Sequence, residues 1–130
     1  LEFVRKSIMI KLFTLLAVLL ASNLYAKEAV ILCPTFYYSS VKKTVEANGA
    51  HDKFKHCAVS CLLALRCPAV DVLELGILKE LADMMGPGNS EMDDLKADYY
   101  GVALVTSLKA KSDKACISQC HTLYPENSCQ

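Results

Sequence analysis

His56, Glu80, Asp83, Asp94 and Asp98 are the side chains of this sequence whose types and spacing could do chemistry. Glu80 and Asp83 stand three apart after Gly76, and Asp94 and Asp98 stand four apart before Gly101. On a helix either spacing stacks two carboxylates on one face, and a glycine on that face lets a backbone or a ligand come close. His56 falls beside Ser60, away from the apolar face carried by Phe54 and Leu62. If these faces converge, four carboxylates and an imidazole share one pocket. Carboxylates that close do not all stay ionised without a positive charge, so the pocket raises their pKa values, holds a divalent cation, or keeps a lysine, for which Lys53 and Lys79 are available. In that arrangement His56, with Glu80 and Asp83, is the general acid or base. Asp94 and Asp98, with help from Glu80 and Asp83, hold a divalent cation or orient water. The plainer alternative is that Glu80 and Asp83 face solvent, Asp94 and Asp98 are a solvated stripe, and Lys79 pairs with Asp83.

The elements that must position these groups are helical. Asp52 is expected to cap a helix running to about Arg66, with Phe54, Ala58, Cys61, Leu62 and Leu65 on one face. Pro68 separates it from a helix over about Ala69 to Met85, apolar on most sides and therefore expected to be central and buried. Gly86-Pro87-Gly88 ends that helix, and Ser90-Glu91-Met92-Asp93 opens another to about Leu108. Ser112-Asp113 opens a last helix carrying Cys116 and Cys120. Before all of these, Lys27 to Tyr38 reads either as a short strand or as an apolar arm ended by Pro34, and Ser40 to Ala47 as a short helix stopped by Asn48-Gly49. The expected fold is all-α, a compact bundle of four to five helices.

Sulfur is the second signal. Cys57 and Cys61, like Cys116 and Cys120, are four apart, so each pair presents two sulfurs one turn apart on a helix. Packing the two helices antiparallel joins Cys57 to Cys120 and Cys61 to Cys116. Seven cysteines leave three more; Cys67 with Cys129 is the expected third bond, with Cys33 left free or bridging to a second chain as a disulfide-linked dimer. Zinc is a weaker use of these thiols, because the spacing is not Cys-x-x-Cys and no paired histidines accompany it.

The compartment follows from residues 1–26. Arg5, Lys6 and Lys11 precede an apolar run from Leu12 to Ala21, and Ser22-Asn23-Leu24-Tyr25-Ala26 ends in a small residue. That order is a secretory signal peptide, too short for the roughly twenty residues of a membrane span. Met9 opens it better than Leu1, which makes residues 1–8 upstream sequence. The expected mature chain, residues 27–130, is a single helical domain, periplasmic or extracellular, where cysteines oxidise. Lysine and arginine balance aspartate and glutamate at 14 each, without a basic stripe, so no nucleic-acid partner is expected.

Three motifs recur here in a recognisable order: Asp-Lys-x-x-His at 52–56, Gly-x-x-Lys-Glu-x-x-Asp at 76–83 and Asp-Leu-x-Ala-Asp-x-x-Gly at 94–101. Together they resemble small bacterial envelope proteins, the VanZ-like membrane proteins and related periplasmic lipoproteins. With His56-Cys57 and Ser60-Cys61 included, the pattern also resembles domains at the ends of some bacterial polymorphic toxins. The resemblance covers residues 52–101 and implies that His56, Lys79, Glu80, Asp83, Asp94, Asp98 and Gly101 act as a set. The chain departs from the lipoproteins in lacking a lipid-anchoring cysteine and from the VanZ-like group in lacking several spans, so membrane residence does not carry over. Three functions fit: an exported cell-envelope protein whose cluster acts on a phosphate-bearing or lipid-linked envelope substrate, a non-catalytic binding or inhibitor/immunity-type module with a protein partner, and an antibacterial toxin domain. The residues do not decide between enzyme and binding protein.

Overall fold

A computed structural model describes residues 2–86 and 91–126 of the chain, which is helical in five segments among those residues. These are α1 (Glu2–Glu46), α2 (Asp52–Ala64), α3 (Ala69–Met85), α4 (Met92–Thr106) and α5 (Asp113–Leu123). The chain divides into two compact units, Leu1–Val30 and Ile31–Gln130. In the first, the helix is closed locally by Thr14, whose hydroxyl donates to the carbonyls of Ile10 and Lys11. Among the described residues no helix is long and apolar enough to cross a membrane.

The second unit is a helical bundle built around α2. Phe54, Cys57, Ala58, Cys61 and Leu62 are fully buried, and full burial of a side chain the size of Phe54 or Leu62 is worth roughly 1.5–3 kcal/mol. The cap differs from expectation by one residue. His51 is the N-cap, its ring nitrogen accepting from the Phe54 amide at 3.4 Å, and Asp52 takes the first turn, where its charge meets the positive end of the helix. Ser112 caps α5 as expected, accepting from the Ala115 amide. After α4, Leu108 takes the left-handed conformation at φ 61°, and the Leu104 carbonyl accepts from the amides of both Lys109 and Ala110.

The expectation that α3 is the buried centre is corrected. Only Asp71, Val72 and Glu80 of α3 are buried, while Val70, Ile77, Leu78, Leu81, Met84 and Met85 are exposed. The centre goes to α2 because its small residues allow close approach. A Cβ added to Gly101 on α4 would lie 2.2 Å from the Cys57 carbonyl oxygen and 2.9 Å from the Cys61 amide. The two backbones therefore touch at that glycine, and no larger residue could take its place.

Two further corrections concern the N-terminal part of the unit. Residues 27–38 are neither a strand nor an arm ended by Pro34, and no new helix begins at Ser40, because α1 continues through both to Glu46. Proline removes only its own N–H, which here leaves the Val30 carbonyl without its usual helical donor, and the boundary between the units falls directly after Val30. Cys33 is neither free nor intermolecular. It is bonded to Cys67, where the end of α2 comes within disulfide reach of α1. The pairing of Cys67 with Cys129 is thereby replaced, Cys129 itself lying outside the described residues. Cys57–Cys120 and Cys61–Cys116 form the two-rung ladder between α2 and α5.

Candidate functional site

The ladder that faces α5 sets the rotation of α2 and so decides what its neighbouring positions meet. His56 and Ser60 stand next to the sulfur stripe in sequence, Lys53 stands one turn before Cys57, and all three reach toward α4. There Asp94 and Asp98 are buried, 3% and 5% exposed, and burial on that scale demands partners for both carboxylates. Asp98 Oδ1 accepts from the Ser60 hydroxyl at 2.9 Å and lies 3.1 Å from His56 Nδ1. His56 Nε2 faces Asp94 Oδ2 at 3.6 Å. The Lys53 ammonium completes the row, donating to Asp94 and to Glu91.

An imidazole between two carboxylates, one at each ring nitrogen, is best matched as an imidazolium with two N–H groups. The electrostatics act in the same direction. Burial works against the charge, but the Asp98 hydrogen bond and the charges of Asp98 and Asp94 outweigh it and raise the His56 pKa above the ordinary value, with Lys79 opposing them. Lys53 behaves alike: partial burial opposes its charge, and the hydrogen bonds to Asp94 and Glu91 overcome that and raise its pKa.

Gly76 has the role its place in the sequence suggested. A Cβ there would lie 2.7 Å from Asp98 Oδ2, so the missing side chain lets α3 close over the Asp98 carboxylate. Glu80 and Asp83 do something else. Glu80, 3% exposed, accepts from the Glu91 amide at 3.0 Å through Oε2 and from Lys79 at 3.4 Å through Oε1, which ties α3 to the start of α4. Asp83 pairs with Lys79 at 2.8 Å, the contact that i,i+4 spacing supplies. No hydrogen bond joins Glu80 or Asp83 to His56 among the described residues. The side chains whose ligand atoms come within 4.8 Å of one another, as an ion would require, are Asp52, His56 and Asp94, rather than Asp94 and Asp98 with Glu80 and Asp83. A cation there would have to displace the proton on His56 and the Lys53 ammonium from Asp94.

His56, Ser60 and Asp98 open onto a cleft of about 480 Å³. Its other walls come from α1 and α3 and include Lys42 and Lys79, with Lys55 from α2. The four-residue series Asp52, His56 and Ser60 could have pointed to Asp52 and Ser60 as members of the cluster. Nothing local in the sequence points to Glu91 or to the α1 wall, which arrive through tertiary packing.

The fold and the site define a disulfide-stapled helical bundle with an aspartate, histidine, aspartate row opening on a cleft. No family model matches the chain, and comparison with curated proteins and with solved structures finds no match.

Proposed function

We propose that the chain is a small exported protein of the bacterial cell envelope, in which the Asp94, His56 and Asp98 row forms the working end of a site for a phosphate-bearing envelope ligand. The observation that carries this reading is the His56 ring held between two buried carboxylates at the wall of a cleft that bears Lys42, Lys55 and Lys79 alongside Glu46 and Asp52. The carboxylates raise the His56 pKa and so favour its charged form, which suits an anion partner and a proton donor better than a general base. The VanZ-like resemblance supports treating His56, Asp94 and Asp98 as a set, and three disulfides together with the signal-like residues 1–26 support export.

Inorganic phosphate titrated into ring-labelled protein tests the site by NMR. The His56 ring signals are expected to move saturably, while those of His51 and His121 serve as internal controls; a silent His56 contradicts the reading. Export is tested by cell fractionation and intact mass, with a disulfide-bonded product beginning at Lys27 expected and an uncleaved cytoplasmic chain counting against it.

A second reading has its own observation. Lys53, His56, Ser60 and Glu80 all find partners within the bundle, which is also what a non-catalytic binding or inhibitor/immunity-type module needs from a cluster that only specifies helix packing. In that case phosphate leaves His56 unmoved, and replacing Asp98 changes stability alone.

A further inference from the structure

The cleft is not uniform along its length, and the order of its residues shows how. Helix α2 contributes Lys55, His56, Val59 and Leu63 in that sequence from its N-terminal end. Helix α3 follows after a short turn and runs back, so its early residues Val72 and Leu75 lie level with Leu63, and the later Lys79 lies level with His56. The Lys79 charge acts on His56, opposing its protonation, as that placement requires. Helix α1 also runs antiparallel to α2. Cys33 is bonded to Cys67 beyond the C-terminal end of α2, while α1 ends at Glu46 shortly before Asp52, which brings Lys42 to the end where Lys55 stands. One end of the trough therefore carries Lys42, Lys55, Lys79 and His56 together with the carboxylates of Glu46, Asp52 and Asp98, and the other is mostly aliphatic, with Thr35 and Tyr38 beside it.

The charges at the polar end are not equally committed. Lys42 has Glu46 at 3.8 Å and Lys79 has Asp83 and Glu80, whereas Lys55, half-buried in the wall, makes no ion pair among the described residues. An ammonium without a carboxylate partner beside a cleft is matched by an anion. An anionic group with nothing attached would leave the aliphatic half of the trough unfilled.

We propose that the cleft binds a phosphorylated amphiphile, with a phosphate monoester head held by Lys55, Lys42 and Lys79 and a single hydrocarbon chain lying along Val59, Leu63, Val72 and Leu75. The inference rests on the phosphate reading of the site and adds to it the chain and its direction. Phosphate is excluded from the aliphatic end by the cost of losing water there, and each methylene buried along it strengthens binding by about fourfold.

The test is calorimetry on the full chain with octyl phosphate below its micelle-forming concentration, alongside butyl phosphate, inorganic phosphate and octanol. The expected result is one octyl phosphate per chain, bound at least about a hundredfold more tightly than inorganic phosphate, with butyl phosphate between them. Lys55→Gln, whose fold is checked by circular dichroism, is expected to weaken octyl phosphate by about tenfold and leave octanol unchanged. Val59→Asn is expected to weaken octyl phosphate and spare inorganic phosphate. Octyl phosphate binding no more tightly than inorganic phosphate overturns the amphiphile and leaves the phosphate site standing. Octanol matching octyl phosphate, with inorganic phosphate silent, overturns both. Unchanged affinity in a folded Lys55→Gln protein overturns the placement of the head.

Discussion

The two neighbouring stripes of α2 are one residue apart in sequence and opposite in physics. Cys57 and Cys61 point to α5, fully buried and covalently closed, while His56 and Ser60 point to Asp98 and the cleft, partly wet and charged. Both stripes use the same four-residue spacing. The difference teaches that the staple is what holds the polar stripe in register: with α2 pinned against α5 by two rungs, it cannot rotate to give His56 to solvent. A buried imidazolium between carboxylates has little net stability of its own to hold it there.

Opening the sealed stripe should have the largest effect. The paired Cys57→Ala and Cys120→Ala change is expected to cost about 4 kcal/mol of unfolding free energy, measured by chemical denaturation: about 3 kcal/mol from the short extra loop this rung closes beside the retained Cys61–Cys116 bond, and the rest from two sulfurs removed from the core. It should also mobilise His56, read from its ring signals; a full loss of stability with an unmoved His56 would separate the two stripes. Next comes the seam behind them. Gly101→Ala puts a methyl group into the Cys57 carbonyl, and a loss of about 3 kcal/mol is expected from the forced separation of α2 and α4. A neutral result would show that the helices do not meet backbone to backbone.

On the polar stripe, pH should give a smaller effect of known sign. Unfolded, His56 titrates near 6.5, and in the fold its pKa is raised. Its contribution to stability is therefore fully present below pH 6.5 and fades as pH rises through the folded value. Comparing unfolding free energies of the native protein and His56→Gln across pH 5.5 to 9, as about four evenly spaced points, isolates that slope; parallel curves would remove the charged histidine from the account. The smallest effect belongs to Lys79→Ala, where the exposed pair with Asp83 is worth at most about 1 kcal/mol. A loss well above that would mean Lys79 holds Glu80 in place for α4.

What could be read from the residues alone follows from this comparison. The ladder was visible because four-residue spacing is a local property, and the same rule put Asp94 and Asp98 on one face; whether that face meets His56 or solvent stays open in the sequence, because it depends on how α2 meets α4. Glu80 was assigned to the chemistry because it shares a face with Asp83, whereas its carboxylate is taken by the Glu91 amide, a partner set by how α3 meets α4. Cys33 looked like the odd thiol because nothing local brings it to Cys67; that requires α1 to continue past Pro34. The apolar composition of α3 suggested a buried helix, but the interior went to α2, whose backbone at Cys57 and Cys61 meets Gly101 of α4 directly.

The measurement that bears most directly on the central claim is the titration of the His56 ring by NMR, in the native protein and in Asp98→Asn. The account predicts a pKa above the usual histidine value in the native protein and a fall in Asp98→Asn, where the strongest partner of the imidazolium has lost its charge. A native His56 that titrates at or below its usual value, or that does not respond to Asp98→Asn, would contradict it.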